Sequence, residues 1–232
     1  MKEIIAECGV SWHDLDEAKR LITRCAEADA DAVKFQLYNK TMALNNKNWG
    51  KHLESVRLTE SMAKELVKHS QKYLMDIFFT PMYLEAVDIC QDLGVSRFKV
   101  RALDAYWTEL LFEIRKTEKP CYVSRANYKF HDPLKQKNFF TVYYDINRPT
   151  KYLDVMKGYS NLLKSDGYSC HCTKMYVPMQ VMLFGGVDYI EIHVVLDAND
   201  KTLPDWKYSH SPIDLLEICK IRDMINTYNR MH

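Results

Sequence analysis

"IEIHVVLD", Ile190 to Asp197, is the stretch on which the fold turns. It is apolar enough for a buried strand, yet it carries Glu191 and His193 two residues apart. Side chains alternate faces along a strand, so Glu191 and His193 share one face and Ile190 and Ile192 the other. Parallel strands covered on both faces normally read as unbroken hydrophobic runs. The departure recurs along the chain. Lys34 stands between Val33 and Phe35, Lys99 between Phe98 and Val100, and Ser169 and His171 flank Cys170. One face of several strands is polar while the other stays apolar.

Working outward, such strands alternate with helical patterns. Strands are predicted at 3–7, 31–36, 76–80, 97–101, 121–125, 138–145, 167–171 and 187–195. Between them, apolar residues recur at helical spacing, as with Leu15, Ala18, Leu21, Ile22 and Cys25. Further helices are predicted from Thr59, before Gly94, over 105–116, over 150–163, around 176–183 and from Ser211 to the end. Strict alternation implies parallel strands with crossover helices. Eight units in 232 residues fit one α/β domain over 1–232, a (β/α)8 TIM barrel at the short end of its size range. A doubly wound open sheet is the competing architecture. Its Gly-rich phosphate loop is missing after the first strand, where "ECGVSWHD" stands.

Composition narrows the function. The formal net charge is +1 and no basic block stands out, so nucleic acid is not an expected partner. No apolar run reaches membrane-spanning length. Glu3 and Glu7 interrupt the N-terminus where a signal peptide needs an apolar stretch, so a cytoplasmic protein is expected. Seven cysteines, with no CxxC pair, argue against a disulfide framework and a zinc knuckle.

In a barrel the C-terminal strand ends form the active-site mouth. Glu7, Lys34, Thr80, Lys99, Ser124, Ser169, His171 and His193 would therefore meet at one end. Each has a plainer reading. A buried histidine is often a hydrogen-bonded core residue, and Lys34 with Glu7 would make an ordinary barrel ion pair. Cys170 and Cys172 read as small apolar fillers. The case rests on the constellation.

"IIAECGV", "ADAVKFQ", "FFTPMY", "LGVSRFKV", "GYSCHC" and "YIEIHVVLD" occur in order and at suitable separations. Together they resemble the sialic acid synthase family from Ile4 to about Asp205. The resemblance implies a (β/α)8 barrel that condenses phosphoenolpyruvate with an aldehyde sugar and releases phosphate. It implies that His171 and His193 hold a divalent metal, Mn2+ first, with Mg2+ or Zn2+ as alternatives. It further implies that Lys34, Thr80, Lys99, Ser124 and Ser169 bind the phosphate and carboxylate, that Glu7 handles a proton, and that Asp104 and Asp205 contact the sugar. These roles suit the residue types. Lysines and hydroxyls match a multiply charged anion, and two neutral imidazoles leave coordination positions open for a Lewis-acid metal. Because thiolates favour zinc, the neighbouring cysteines stay open as alternative ligands.

The sequence also departs from the family. "SWHD" replaces N-H-N-G after strand one, Ala102 a serine, Cys170 an aspartate and "SRA" S-T-G. Only Pro149 and Thr150 remain of the strand-six motif, and the family's antifreeze-like domain is not expected in this sequence. Three arginines at strand ends, Arg101, Arg125 and Arg148, favour an anionic acceptor such as a phosphorylated sugar aldehyde. The polar stretch Tyr38–Arg57 is expected to be a lid over the mouth. A second copy of the chain is a candidate partner. Two other functions stay open: a metal-dependent aldolase or isomerase on a phosphorylated sugar, and a non-catalytic relative that binds a phosphate ligand.

Overall fold

The computed structural model describes residues 1–126, 138–144 and 148–232. Eight parallel strands pair in chain order: β1 (Glu3–Gly9), β2 (Ala32–Leu37), β3 (Asp76–Pro81), β4 (Phe98–Val100), β5 (Cys121–Arg125), β6 (Phe139–Tyr144), β7 (Gly167–Cys170) and β8 (Tyr189–His193). β8 pairs back onto β1, with Glu191 opposite Ile5 and His193 opposite Glu7. That pairing closes the barrel and rules out the open sheet. The predicted sixth strand runs one residue further, to Asp145, which lies outside the described residues.

Helices cover the outside. α1 (Leu15–Glu27) follows β1. α2 (Lys40–Leu44), α3 (Gly50–Ser55) and α4 (Glu60–Gln71) follow β2, and α5 (Glu85–Asp92) follows β3. α6 (Thr108–Lys116) follows β4, α7 (Tyr152–Lys157) and α8 (Tyr159–Leu162) follow β6, and α9 (Tyr176–Phe184) follows β7. α10 (Pro212–Met231) comes last. Side chains cap several of the helix starts, the expected one at Thr59 among them. Asp14 accepts from the backbone of Glu17 before α1, Thr59 from Met62 before α4, and Ser211 forms a capping box with Asp214 before α10.

The helix predicted over 150–163 is broken in two at Gly158. A Cβ there would collide with the hydroxyl of Tyr143, so glycine lets α7 turn close against β6. The stretch 38–57 is neither strand nor open loop. It folds into α2 and α3 across the mouth, with Tyr38 hydroxyl donating to the Leu53 carbonyl at 2.8 Å.

Period two assigns the two faces of the wall. Ile4, Ala6, Val33, Phe35, Phe98, Val100, Ile190 and Ile192, all fully buried, face the helices, which answer with Leu21, Ile22, Leu66 and Ile218. Inside, the barrel is layered. At the N-terminal end Arg97 pairs with Glu3 at 2.6 Å and Asp76 at 2.8 Å. Above it lie aromatic rings: Phe78, whose face meets the Arg97 guanidinium at 5.0 Å, and Tyr122 stacked on Tyr189 with centroids 4.1 Å apart. This layer closes the barrel from below and makes a floor for the polar upper half. All seven cysteines are buried, and none is joined in a disulfide. No helix among the described residues is long and apolar enough to cross a membrane.

Candidate active site

The upper half of the barrel opens into a cavity of about 970 Å³. Its floor is ionic. Lys34 on β2 forms a close ion pair with Glu7 on β1, meets Glu191 at 3.6 Å and donates to the Thr80 hydroxyl at 3.2 Å. Lys99 on β4 meets Glu191 at 3.2 Å and donates to the Ser124 hydroxyl at 2.6 Å. Glu191 accepts from the Ser169 hydroxyl at 3.1 Å and from the Tyr189 hydroxyl at 2.9 Å. The side chains of Lys34, Lys99, Glu7 and Glu191 are at most 4% exposed. Buried charges survive only when paired and hydrogen-bonded, and here two lysines and two carboxylates balance.

The electrostatics follow from this crowding. Burial pulls the Lys34 ammonium down to about 7, helped by Lys99 and opposed by Glu191. Burial alone would push the Glu191 carboxyl up, but Lys34 and Lys99 hold it well below its ordinary value. The floor is thus locally neutral, yet its lysines have only protein carboxylates to exchange for a ligand.

Two histidines stand above the floor on adjacent strands. The ring centroids of His171 and His193 are 5.0 Å apart. Burial, reinforced by Arg148, pulls His171 down to about 3, and burial together with His171 pulls His193 well below its ordinary value. Both imidazoles are therefore neutral at physiological pH. His171 Nδ1 is 3.1 Å from the Ser169 carbonyl, which can only accept, so the lone pair of His171 is on Nε2. His193 Nδ1 is buried without a hydrogen bond, 3.7 Å from the Asp205 carboxylate. Tyr208 packs edge-on against both rings and donates to Asp205. Neutral nitrogen donors, one of them orphaned, suit a divalent cation. Among the described residues no group of three or more His, Cys, Asp or Glu is spaced to hold an ion, so two imidazoles would carry it with other positions left to water or ligand.

Glu7, Lys34, Thr80, Lys99, Arg101, Ser124, Arg148, Ser169, His171, His193 and Asp205 all line this one cavity. Cys170 and Cys172 do not, because period two turns Cys170 outward and its thiol donates to the Cys172 carbonyl. Two expected contacts also fall outside. Asp104 ends a 3-10 turn after β4 that folds its carboxylate back under Arg101, accepting from the guanidinium at 3.2 Å. Arg125 follows Ser124 on β5 and so points to the helix side, where its guanidinium lies over the Tyr106 ring at 5.9 Å.

Other contributors carried weaker signals. Glu191 was visible as an inward charge, but not as the partner of both lysines. Gln36, two residues after Lys34, donates to Glu7 at 3.0 Å. His210 donates through Nε2 to the Cys172 carbonyl at 3.0 Å, and its backbone N–H to the His193 carbonyl at 2.8 Å, so it ties both histidine strands together. Tyr208 and His210 come from the loop before α10, where no periodicity marks them.

Comparisons with known proteins agree with this architecture. A model of the NeuB family matches residues 21–132. An N,N'-diacetyllegionaminic acid synthase of Campylobacter jejuni is 28% identical, the match covering 93% of this chain and 74% of that protein. An N-acetylneuraminate-9-phosphate synthase of Mus musculus is 28% identical over 94% of this chain and 68% of its own length. The crystal structure of an N-acetylneuraminic acid synthetase from Leptospira borgpetersenii superposes with a TM-score of 0.84 at 23% identity, covering 97% of this chain and 84% of that one.

Proposed function

We propose that the chain, which a NeuB-family model matches over residues 21–132 and whose barrel a sialic acid synthetase shares, joins phosphoenolpyruvate to an aldehyde sugar. The product is a 2-keto sugar acid. A carbon–carbon bond forms between the methylene carbon of the donor and the aldehyde carbon, water adds at the enol carbon, and inorganic phosphate leaves. The observation that carries this reading is the meeting of two buried lysines and two neutral histidines in one cavity.

Lys34 and Lys99, with the hydroxyls of Thr80, Ser124 and Ser169, bind the donor's phosphate and carboxylate. The lysines then turn from Glu7 and Glu191 toward the ligand oxygens. Glu7, paired with Lys34 and accepting from the Gln36 amide, takes up the proton that water gives up as it adds. His171 and His193 would hold a divalent metal, Mn2+ with Mg2+ or Zn2+ as alternatives, which would supply Lewis-acid polarisation of the acceptor. Tyr208 and Asp205 orient the two rings. Arg101 and Arg148 line the outer cavity and favour an acceptor with an anionic group, since guanidinium forks match phosphate and carboxylate. The name of the mouse relative, a synthase of a 9-phosphate, supports that choice.

The test combines phosphoenolpyruvate, Mn2+ and a panel of neutral and phosphorylated aldoses, with phosphate release as readout. Release that requires both the donor and an aldose is expected, and the His171→Ala, His193→Ala double variant is expected to lose bound metal by elemental analysis. Thermal stabilisation by phosphoenolpyruvate with no release from any aldose would instead favour a non-catalytic binding protein.

A further inference from the structure

The three-carbon donor needs only the floor of the cavity. Its outer part is walled by the two segments that lie across the mouth, the α2–α3 segment and the loop before α10. From the first comes Trp49, and from the second Trp206. Trp49 is half-buried and held in place from several sides. The Asn46 side-chain oxygen accepts from the Trp49 backbone N–H at 2.9 Å and from that of Asn48 at 3.1 Å. The His52 ring meets the indole edge-on with centroids 6.3 Å apart. His52 is itself anchored to the barrel, its Nε2 donating to the Val10 carbonyl beyond β1 at 2.8 Å. An exposed loop has no need to fix a tryptophan in this way. A binding wall does, because a pre-ordered aromatic side chain loses little entropy when a ligand packs on it.

We propose that Trp49 is a specificity-determining residue, forming with Trp206 an outer subsite that takes the non-reacting end of the acceptor. The inference rests on the condensation reading for the identity of the acceptor. The α2–α3 segment then belongs to the substrate site and is more than a cover. The ligand chemistry is an aliphatic face, a C–H face of the sugar or an alkyl part of a substituent, because an indole offers apolar area. Lys207, beside Trp206 at 5.9 Å, adds a cation at the same rim. Asn46 and His52 act through Trp49 and are positioning residues.

The experiment uses phosphoenolpyruvate and N-acetylmannosamine 6-phosphate as probes, with wild type, Trp49→Ala and Trp49→Phe. Donor binding is measured by calorimetry, and acceptor binding by saturation-transfer NMR, which does not need turnover. Trp49→Ala is expected to weaken acceptor binding by roughly ten-fold and to raise the acceptor KM more than it lowers kcat, as loss of a stacked aromatic contact would. Donor affinity is expected to stay unchanged, and Trp49→Phe to recover most of the loss. In wild type the acceptor protons farthest from the aldehyde should receive the strongest saturation, and that pattern should disappear in Trp49→Ala. Equal acceptor affinity and an unchanged saturation pattern in Trp49→Ala would overturn the proposal. Failure of wild type to bind phosphoenolpyruvate, with Trp49-dependent sugar binding intact, would instead overturn the condensation reading and leave the subsite standing.

Discussion

At the residue scale, Glu191 bears the greatest electrostatic demand. Among the described residues it is the one carboxylate that meets both floor lysines, and it also receives two hydroxyls. Removing one partner of a buried ion pair costs about 3–5 kcal/mol because the remaining charge is stranded. Glu191→Gln should therefore lower the melting midpoint by on the order of 10 °C in a scanning calorimeter, and an unchanged midpoint would contradict the network. Lys99→Met probes the ligand side. One charge-assisted contact is worth about 1.5–3 kcal/mol, so donor affinity should fall by roughly ten- to a hundred-fold in calorimetry. The histidines give a pH prediction. His171 and His193 are held neutral by burial, below their unfolded value of about 6.5. Their contribution to stability is full above that value. It is lost as pH falls through it, because the unfolded chain takes up protons that the folded one refuses. At pH 5 the loss is about 2 kcal/mol per histidine, measurable as a fall in urea midpoint between pH 7 and pH 5. A midpoint that rises over that range would mean the rings are charged in the fold. Most of these residues were legible in the sequence, since a charge in an apolar strand can only be tolerated facing inward. Asp104 and Arg125 fall outside the cavity because one sits in a turn with no period and the other lies one residue out of phase with Ser124.

At the scale of elements, the strands were legible because all but the half-buried β6 are largely buried and the face pattern repeats every second residue. Helices that pack on the wall were legible too, from apolar spacing and cap residues. The broken α7–α8 helix was not, since its cause is the Tyr143 hydroxyl on a neighbouring strand. The α2–α3 segment was expected as a lid on length and polarity alone. What fixes it, the His52 bond to the Val10 carbonyl, spans 42 residues and has no local signature. His52→Ala should therefore release this segment while leaving the barrel folded. Limited proteolysis is expected to cut between residues 38 and 57 several-fold faster in the variant. Equal cutting rates would mean that the segment is held by other contacts.

For the whole molecule, the aromatic layer separates two ionic systems. Arg97, Glu3 and Asp76 lie beneath it and the lysine–glutamate floor above. Arg97→Met should then lower the melting midpoint yet change donor affinity by less than about two-fold, because distant sites with no shared partner act independently. Closure of the barrel makes the upper system a site. Only a closed ring brings Lys34, Lys99, His171 and His193, from four strands, around one cavity. The central claim is that this cavity joins a phosphoenolpyruvate carbon to an aldehyde. The most direct measurement counts phosphate released and 2-keto acid formed in the same reaction, with phosphoenolpyruvate, Mn2+ and each aldose of the panel. The account predicts that the two products rise in equal amounts with at least one aldose, and that neither rises in Lys99→Met. Phosphate release without 2-keto acid, or no release with any aldose despite bound phosphoenolpyruvate, would contradict it.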